Sequence, residues 1–272
     1  MNTLNHLTDR NALIRYRERA DPESLFLQAT AADELQDRAG MVNRRFNKVA
    51  VVTPFPDLWR QRFPDAFITN DDDTLDLTPS NYDLVIHALS LHWANDPVGQ
   101  LIQCKRALRP DGLFLAASLG GQTLQELRSV LAEAEIAETG GLSPRVAPMG
   151  EIRDLGALLQ RAGFALPVAD SLVLPATYRD TDHLMKDLRD MAENNALAAR
   201  PRSFCRRGVL LRAKSLYSQH FCAGTGRIKA TFEMIFLTGW APDESQQKPL
   251  RPGSAKTRLA DALATPEIRL PD

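Results

Sequence analysis

His92 and Trp93 are the residues best placed to do chemistry. They stand just past an apolar run, Leu84–Leu89. A histidine at the end of a buried strand can act as general base or substrate contact, because its pKa lies near neutrality. The same pair would equally cap a pocket or pack on the sheet. Gly120-Gly121 follow a second apolar run, Leu113–Ser118. They would let a substrate approach the backbone, or turn the chain tightly into the next helix. Arg145, between Pro144 and Val146, is placed either to reach a pocket or an acidic partner, or to stand as a solvated loop charge. Glu244–Ala255 concentrates polar groups around Lys248 and Arg251. It reads as a loop folded over a pocket, a partner surface, or a surface loop packing the last strand. Arg200, Arg202, Arg206, Arg207 and Arg212 form a basic patch, suited to an acidic protein or RNA, or simply a solvated helix start.

These residues need elements to hold them, and the periodicity supplies a βα alternation. Residues 5–41 place apolar side chains at helical spacing and read as one or two amphipathic helices on the edge of the fold. Lys48–Thr53 is a short β-branched strand, stopped by Pro54 and Pro56. A short helix over Asp57–Phe63 and a weak strand over Ala66–Thr69 follow, then the acidic run Asp71–Asp73. Leu84–Leu89 is a strong strand. Asp96 caps a helix over Pro97–Leu108 with proline in its first turn. Arg109-Pro110-Asp111-Gly112 is a turn in which glycine is expected to supply the left-handed conformation. Leu113–Ser118 is the next strand, and Thr123–Glu138 a helix ended by Gly140-Gly141. Gly150–Arg161 is a helix, Phe164–Val173 a strand, His183–Ala199 and Arg206–Phe221 two helices of an insertion, and Ala230–Trp240 a last strand. Strands alternating with helices imply a mostly parallel sheet covered on both faces.

Bulk properties exclude several classes. With 272 residues and a net charge of −1, the chain has ample core and no global basic field for nucleic acid. No apolar run reaches the roughly 20 residues of a membrane span. Cys104, Cys205 and Cys222 are scattered with no CxxC, which fits reduced thiols and no metal site. No secretory h-region is visible, so a cytoplasmic location is expected. A GxSxG elbow, a Walker loop and an HExxH helix are all missing from the sequence.

Several motifs together carry a resemblance. They are Tyr82-Asp83-Leu84-Val85, Leu89-Ser90-Leu91-His92-Trp93, Leu108-Arg109-Pro110-Asp111-Gly112, Gly120-Gly121-Gln122-Thr123-Leu124, Gly140-Gly141-Leu142-Ser143-Pro144-Arg145 and Glu244-Ser245-Gln246-Gln247-Lys248-Pro249. The chain resembles class I S-adenosylmethionine-dependent methyltransferases. Within them it is similar to the branch of the methyltransferase-like assembly factor of respiratory complex I, related to the malonyl-carrier-protein methyltransferase of biotin synthesis. The resemblance implies an α/β, doubly wound, Rossmann-like sheet of about seven strands ending in an antiparallel hairpin, with amino-terminal helices and a helical insertion before the last strand. The implied organisation is an amino-terminal helical segment (1–47), the methyltransferase-like domain (48–255, insertion about 180–225) and a tail (256–272).

The resemblance also implies S-adenosylmethionine at the carboxyl ends of the strands, along Thr53, Phe55, Asp72, Ala88 and Leu89. It implies His92 as the catalytic proton acceptor, and Trp93, Gly120, Gly121, Arg145, Lys248 and Arg251 as contacts to a substrate or partner. The substrate class is a protein client, with a complex I subunit as candidate. The complex I branch is also linked to arginine hydroxylation rather than methyl transfer, so the reaction type stays open. One departure stands out. Where the family carries an acidic residue and a glycine-rich turn, this chain reads Thr53-Pro54-Phe55-Pro56, and the span from Lys48 to Tyr82 is about one βα unit short. Two prolines remove N–H donors and Phe55 adds bulk, which weighs against ordinary cofactor binding. A methyltransferase-fold binding protein or assembly chaperone without catalysis is therefore the alternative.

Overall fold

Six strands form one sheet in the order β2-β1-β3-β4-β6-β5. The computed structural model describes residues 6–224, 226–247, 254 and 257–265. It divides into a large unit, Met1–Pro242, and a small one, Asp243–Asp272. In the large unit β1 (Val49–Val52), β2 (Phe67–Thr69), β3 (Tyr82–His87) and β4 (Leu108–Leu119) run parallel. β5 (Ala165–Tyr178) and β6 (Ile228–Trp240) form the antiparallel hairpin, with β6 against β4. Among the described residues, the roughly seven strands implied by the resemblance number six. Only the three residues of β2 pair outside β1, because the short stretch between β1 and β3 has no room for a further strand and helix.

Alternation along the strands builds two cores. Val51, Leu84 and Ile86 face one side with α2 (Phe26–Met41), α5 (Gln125–Thr139) and α8 (Arg207–His220). Ala50, Val52 and Val85 face the other with α4 (Pro97–Ala107) and α6 (Ile152–Ala162). Every residue of β3 is buried, as expected of a parallel strand covered on both faces. Leu27, Ala31 and Leu35 of α2 are buried in the first core, so this helix covers the sheet instead of lying at its edge. Before it, α1 (Arg10–Arg17) is capped by Asp9, whose carboxylate accepts from the Ala12 N–H at 3.1 Å.

Local chemistry follows the sequence at most ends. The Asp96 carboxylate accepts from Gly99 N–H at 2.8 Å and Pro97 opens α4. α5 stops at Gly140, held at φ +72°. Asp83 accepts from the backbone N–H groups of Asn47 and Lys48, each at 3.1 Å, and from Arg109 at 3.0 Å. It anchors the far end of the sheet, away from the ligand edge. Two local readings are corrected. In Arg109–Gly112 the left-handed residue is Asp111 (φ +58°), not the glycine, and β4 runs through the segment. α7 (Thr181–Asp190) ends far short of Ala199, with Ala192 turned to φ +63°. In the small unit, Asp243 accepts from the N–H and hydroxyl of Ser245, and α9 spans Leu259–Leu263.

Candidate functional site

Open α/β sheets bind ligands outside the carboxyl ends of their strands. At this edge β2 runs into Asn70-Asp71-Asp72, and the Asp71 side chain is only 3% exposed. Arg17 of α1 grips it with two bonds, at 2.7 and 2.9 Å, and Arg10 adds two at 3.3 Å. Burial alone would raise the Asp71 pKa. The charge and hydrogen bonds of Arg17, then those of Arg10, outweigh it and hold the carboxyl at about 2. The network runs deeper. Gln100 of α4 donates to the carbonyls of Asp71 and Asp72, both at 3.0 Å, and its side-chain oxygen lies 2.8 Å from Nε2 of the fully buried His87. Burial pushes the His87 pKa down, so the ring is neutral.

The neighbouring wall is also filled. Thr53 is fully buried and its hydroxyl accepts from Phe55 N–H at 3.0 Å. Ala88 is buried and donates its N–H to Val52 at 2.9 Å. Leu89, at φ +35°, accepts at its carbonyl from Gln28 at 3.2 Å, and Gln28 accepts from the buried Trp59 indole at 3.1 Å. A cleft of about 400 Å³ opens beside Pro54, lined by Arg10, Arg17, Glu18, Asp71 and Asp72 among others. Thr53, Phe55, Ala88 and Leu89 do not line it.

A second cavity, about 180 Å³, lies beyond the end of β4. Its walls are mostly apolar: Leu119, Leu124, Leu127, Met149, Leu188 and Phe232. Its polar groups come from Trp93, Thr123, Arg145, Arg189, Glu193, Asn194 and Asn195. Glu193 is the keystone. One of its oxygens accepts from the Trp93 indole at 2.9 Å and lies 3.2 Å from Nε2 of His92. Nδ1 of His92 faces the Leu119 N–H at 3.5 Å. The His92 side chain is 2% exposed and does not line the cavity. Its ring also packs against that of Trp93, with centroids 5.4 Å apart. Leu124, on the cavity wall, sits at φ +55°, a strained conformation for leucine held by its N–H bond to Thr231 at 2.8 Å.

The remaining candidate residues separate. Arg145 lines the cavity but spends its charge on Glu135 at 2.6 Å, where Ser143 also bonds the same carboxylate. Hydrogen bonding from Arg145 in turn lowers the Glu135 pKa. Gly120 donates to Glu233 O at 2.8 Å, and a Cβ there would stand 2.7 Å from the Glu233 carboxylate. A Cβ at Gly121 would collide with Glu151. Both glycines therefore turn the chain tightly against acidic side chains, and neither lines the cavity. Lys248 and Arg251 lie outside the described residues. Sequence reasoning missed Arg10, Arg17, Gln28 and Glu193. Glu193 was hidden inside an expected helix, and the others sit in helices whose partners are distant in sequence. Among the described residues no cluster of His, Cys, Asp or Glu is arranged to hold a metal ion.

S-adenosylmethionine carries a sulfonium and an ammonium, so its site needs free acceptors and close backbone. At the edge where the fold places it, Asp71 is neutralised by two guanidinium groups, Pro54 and Pro56 offer no N–H, and Gln28 holds the Leu89 carbonyl.

A family profile described as a methyltransferase domain matches residues 27–116. The mitochondrial arginine-hydroxylase NDUFAF5 of Dictyostelium discoideum is 40% identical over 196 residues, 72% of this chain and 45% of that protein. Its Homo sapiens counterpart is 37% identical over 198 residues, 73% of this chain and 57% of that protein. The malonyl-[acyl-carrier protein] O-methyltransferase of Laribacter hongkongensis is 33% identical over 188 residues, 69% of this chain and 61% of that protein. The chain thus spans about half to three-fifths of these relatives. The YcgJ protein of Bacillus subtilis superposes with TM-score 0.49 at 10% identity, over 79% of this chain and 99% of that one. The names of the first relatives overturn the cytoplasmic expectation, since those proteins are mitochondrial. A missing secretory h-region speaks only to one export route. The chain carries the methyltransferase domain of this family over residues 27–116 and is a homologue of these arginine-hydroxylase and malonyl-carrier-protein methyltransferase relatives.

Proposed function

We propose that this methyltransferase-family protein binds a protein client, without methyl transfer, and so supports assembly of a larger complex. A respiratory complex I subunit is the client that the family resemblance implies. One observation supports the reading: Asp71 at the cofactor edge is held by Arg10 and Arg17 of the same chain and Asp72, more exposed, is bonded by Arg10, while the apolar cavity next to Trp93 and Glu193 remains open. A micromolar cofactor site needs about 8 kcal/mol. Each charge-assisted hydrogen bond withdrawn removes roughly 1.5–3 kcal/mol, so the engagement of Asp71 and the loss of the glycine turn together weaken such a site strongly. The cavity suits an amphipathic side chain of the client, with its stem on Leu124 and Phe232 and its polar end toward Glu193.

The second reading, methyl transfer to a protein, is favoured by the family profile, which runs through the cofactor half of the fold. Calorimetric titration of the intact chain with S-adenosylmethionine separates the two. No heat at 1 mM ligand is expected (roughly 4 kcal/mol of binding at most). Micromolar affinity would overturn the binding-protein reading. Met185→Trp, which fills the cavity from α7, should lower client capture severalfold with the unfolding midpoint unchanged.

A further inference from the structure

From Asn194 to Phe232 the chain contains no Asp or Glu, against eight Lys and Arg, in a protein whose total net charge is −1. The fold brings the centre of this tract to the surface as a loop leading into α8. At its tip Phe204 is completely exposed, and Leu211, one helical turn beyond Arg207, is 55% exposed. The neighbouring end of α5 and the loop after it add Ile136 and Leu142, at 55% and 66% exposure. Arg212 reaches Glu138 of α5 at 3.8 Å, which ties the two helices together at this place.

Part of the charge is neutralised within the fold: Arg200 and Arg202 pair with Asp9, at 3.0 and 3.1 Å. Arg206 and Arg207 stay exposed. A protruding phenylalanine between exposed arginines is convex, so it offers no groove to an incoming peptide. One aromatic ring is also too little to stack a single-stranded nucleic acid. An apolar tip with a cationic collar matches a lipid–water interface, where the ring enters the headgroup region and the guanidinium groups meet phosphates.

We infer that the Phe204 loop and the start of α8 dock this protein peripherally on an anionic membrane surface. The chain needs no spanning helix for this, and among the described residues no helix is long and apolar enough to cross a membrane. Phe204, Arg206, Arg207 and Leu211 line neither the cleft at the cofactor edge nor the apolar cavity, so the inference does not depend on whether S-adenosylmethionine binds.

The test is co-sedimentation of the intact protein with vesicles of phosphatidylcholine and phosphatidylserine at 3:1, compared with phosphatidylcholine alone. Binding only to the anionic vesicles, and its loss between 50 and 500 mM salt, is expected on the order of the screening known for surface charges. Arg206→Gln with Arg207→Gln should weaken partitioning about thirtyfold, at about 1 kcal/mol per cation. Phe204→Ser should weaken it at least about tenfold at either salt. All three side chains are exposed, so unfolding midpoints should match the parent and exclude misfolding. Failure to bind the anionic vesicles overturns the inference. So does binding that these variants leave intact, or capture of a poly-uridine RNA in place of vesicles.

Discussion

Asp71→Asn removes the charge that joins α1 to the floor of the ligand edge and should reveal how much that latch contributes. The variant keeps the size of the side chain but leaves Arg10 and Arg17, whose side chains are 18% and 10% exposed, without their shared counter-charge. Breaking a buried pair from one side costs about 3–5 kcal/mol. The pH dependence gives a second, independent magnitude. Asp71 is held at about 2 in the folded protein against an ordinary 3.8. A depressed folded pKa contributes stability that is fully present above the unfolded value and is lost as pH falls through the folded one. A gap of roughly two pH units amounts to about 2.5 kcal/mol, of which about 2 is lost by pH 2. Urea unfolding of both proteins from pH 6 downward should therefore show a large gap at pH 6. That gap should narrow by about 2 kcal/mol between pH 4 and pH 2, as the parent protonates. Other carboxylates titrate in both proteins and cancel in the difference. A constant offset across this range would refute the view that the Asp71 charge holds α1 in place.

Glu193→Leu leaves the His92 and Trp93 N–H groups unpaired and should cost about 2 kcal/mol or more, with altered Trp93 fluorescence. A cost under about 0.5 kcal/mol would mean that Glu193 organises nothing. Burial pushes the Cys104 thiol far up, whereas Cys222 is exposed. A thiol reagent should thus label Cys222 in the native protein and Cys104 only after denaturant, and early labelling of Cys104 would contradict the core assignment. Gly140→Ala should destabilise by about 1 kcal/mol through its left-handed conformation alone, because nothing lies within 4 Å of the added carbon. An unchanged urea midpoint would count against that cap.

The sequence by itself determined the layers. Uninterrupted apolar runs can only be strands covered on both faces, and Asp96-Pro97 and Gly140 mark helix ends through chemistry that needs no distant partner. That is why β3, β4, α4, α5 and the closing hairpin were legible, and why the rewritten turn at Thr53–Pro56 stood out from its residue types alone. The shortage of one βα unit was legible too, and it appears as a six-stranded sheet. What only the tertiary structure decided were pairings between residues far apart in the chain. Arg17 meets Asp71 and Gln28 meets Leu89; His92 and Trp93 meet a glutamate about a hundred positions away, in a segment whose periodicity suggested helix. Periodicity reports which face of an element is buried. It carries no information about which buried polar group will satisfy which other, because that depends on how separate elements dock. For this protein the fold was written in the local pattern, and the partners of Asp71 at the ligand edge were decided by two arginines of α1, 61 and 54 positions earlier in the chain.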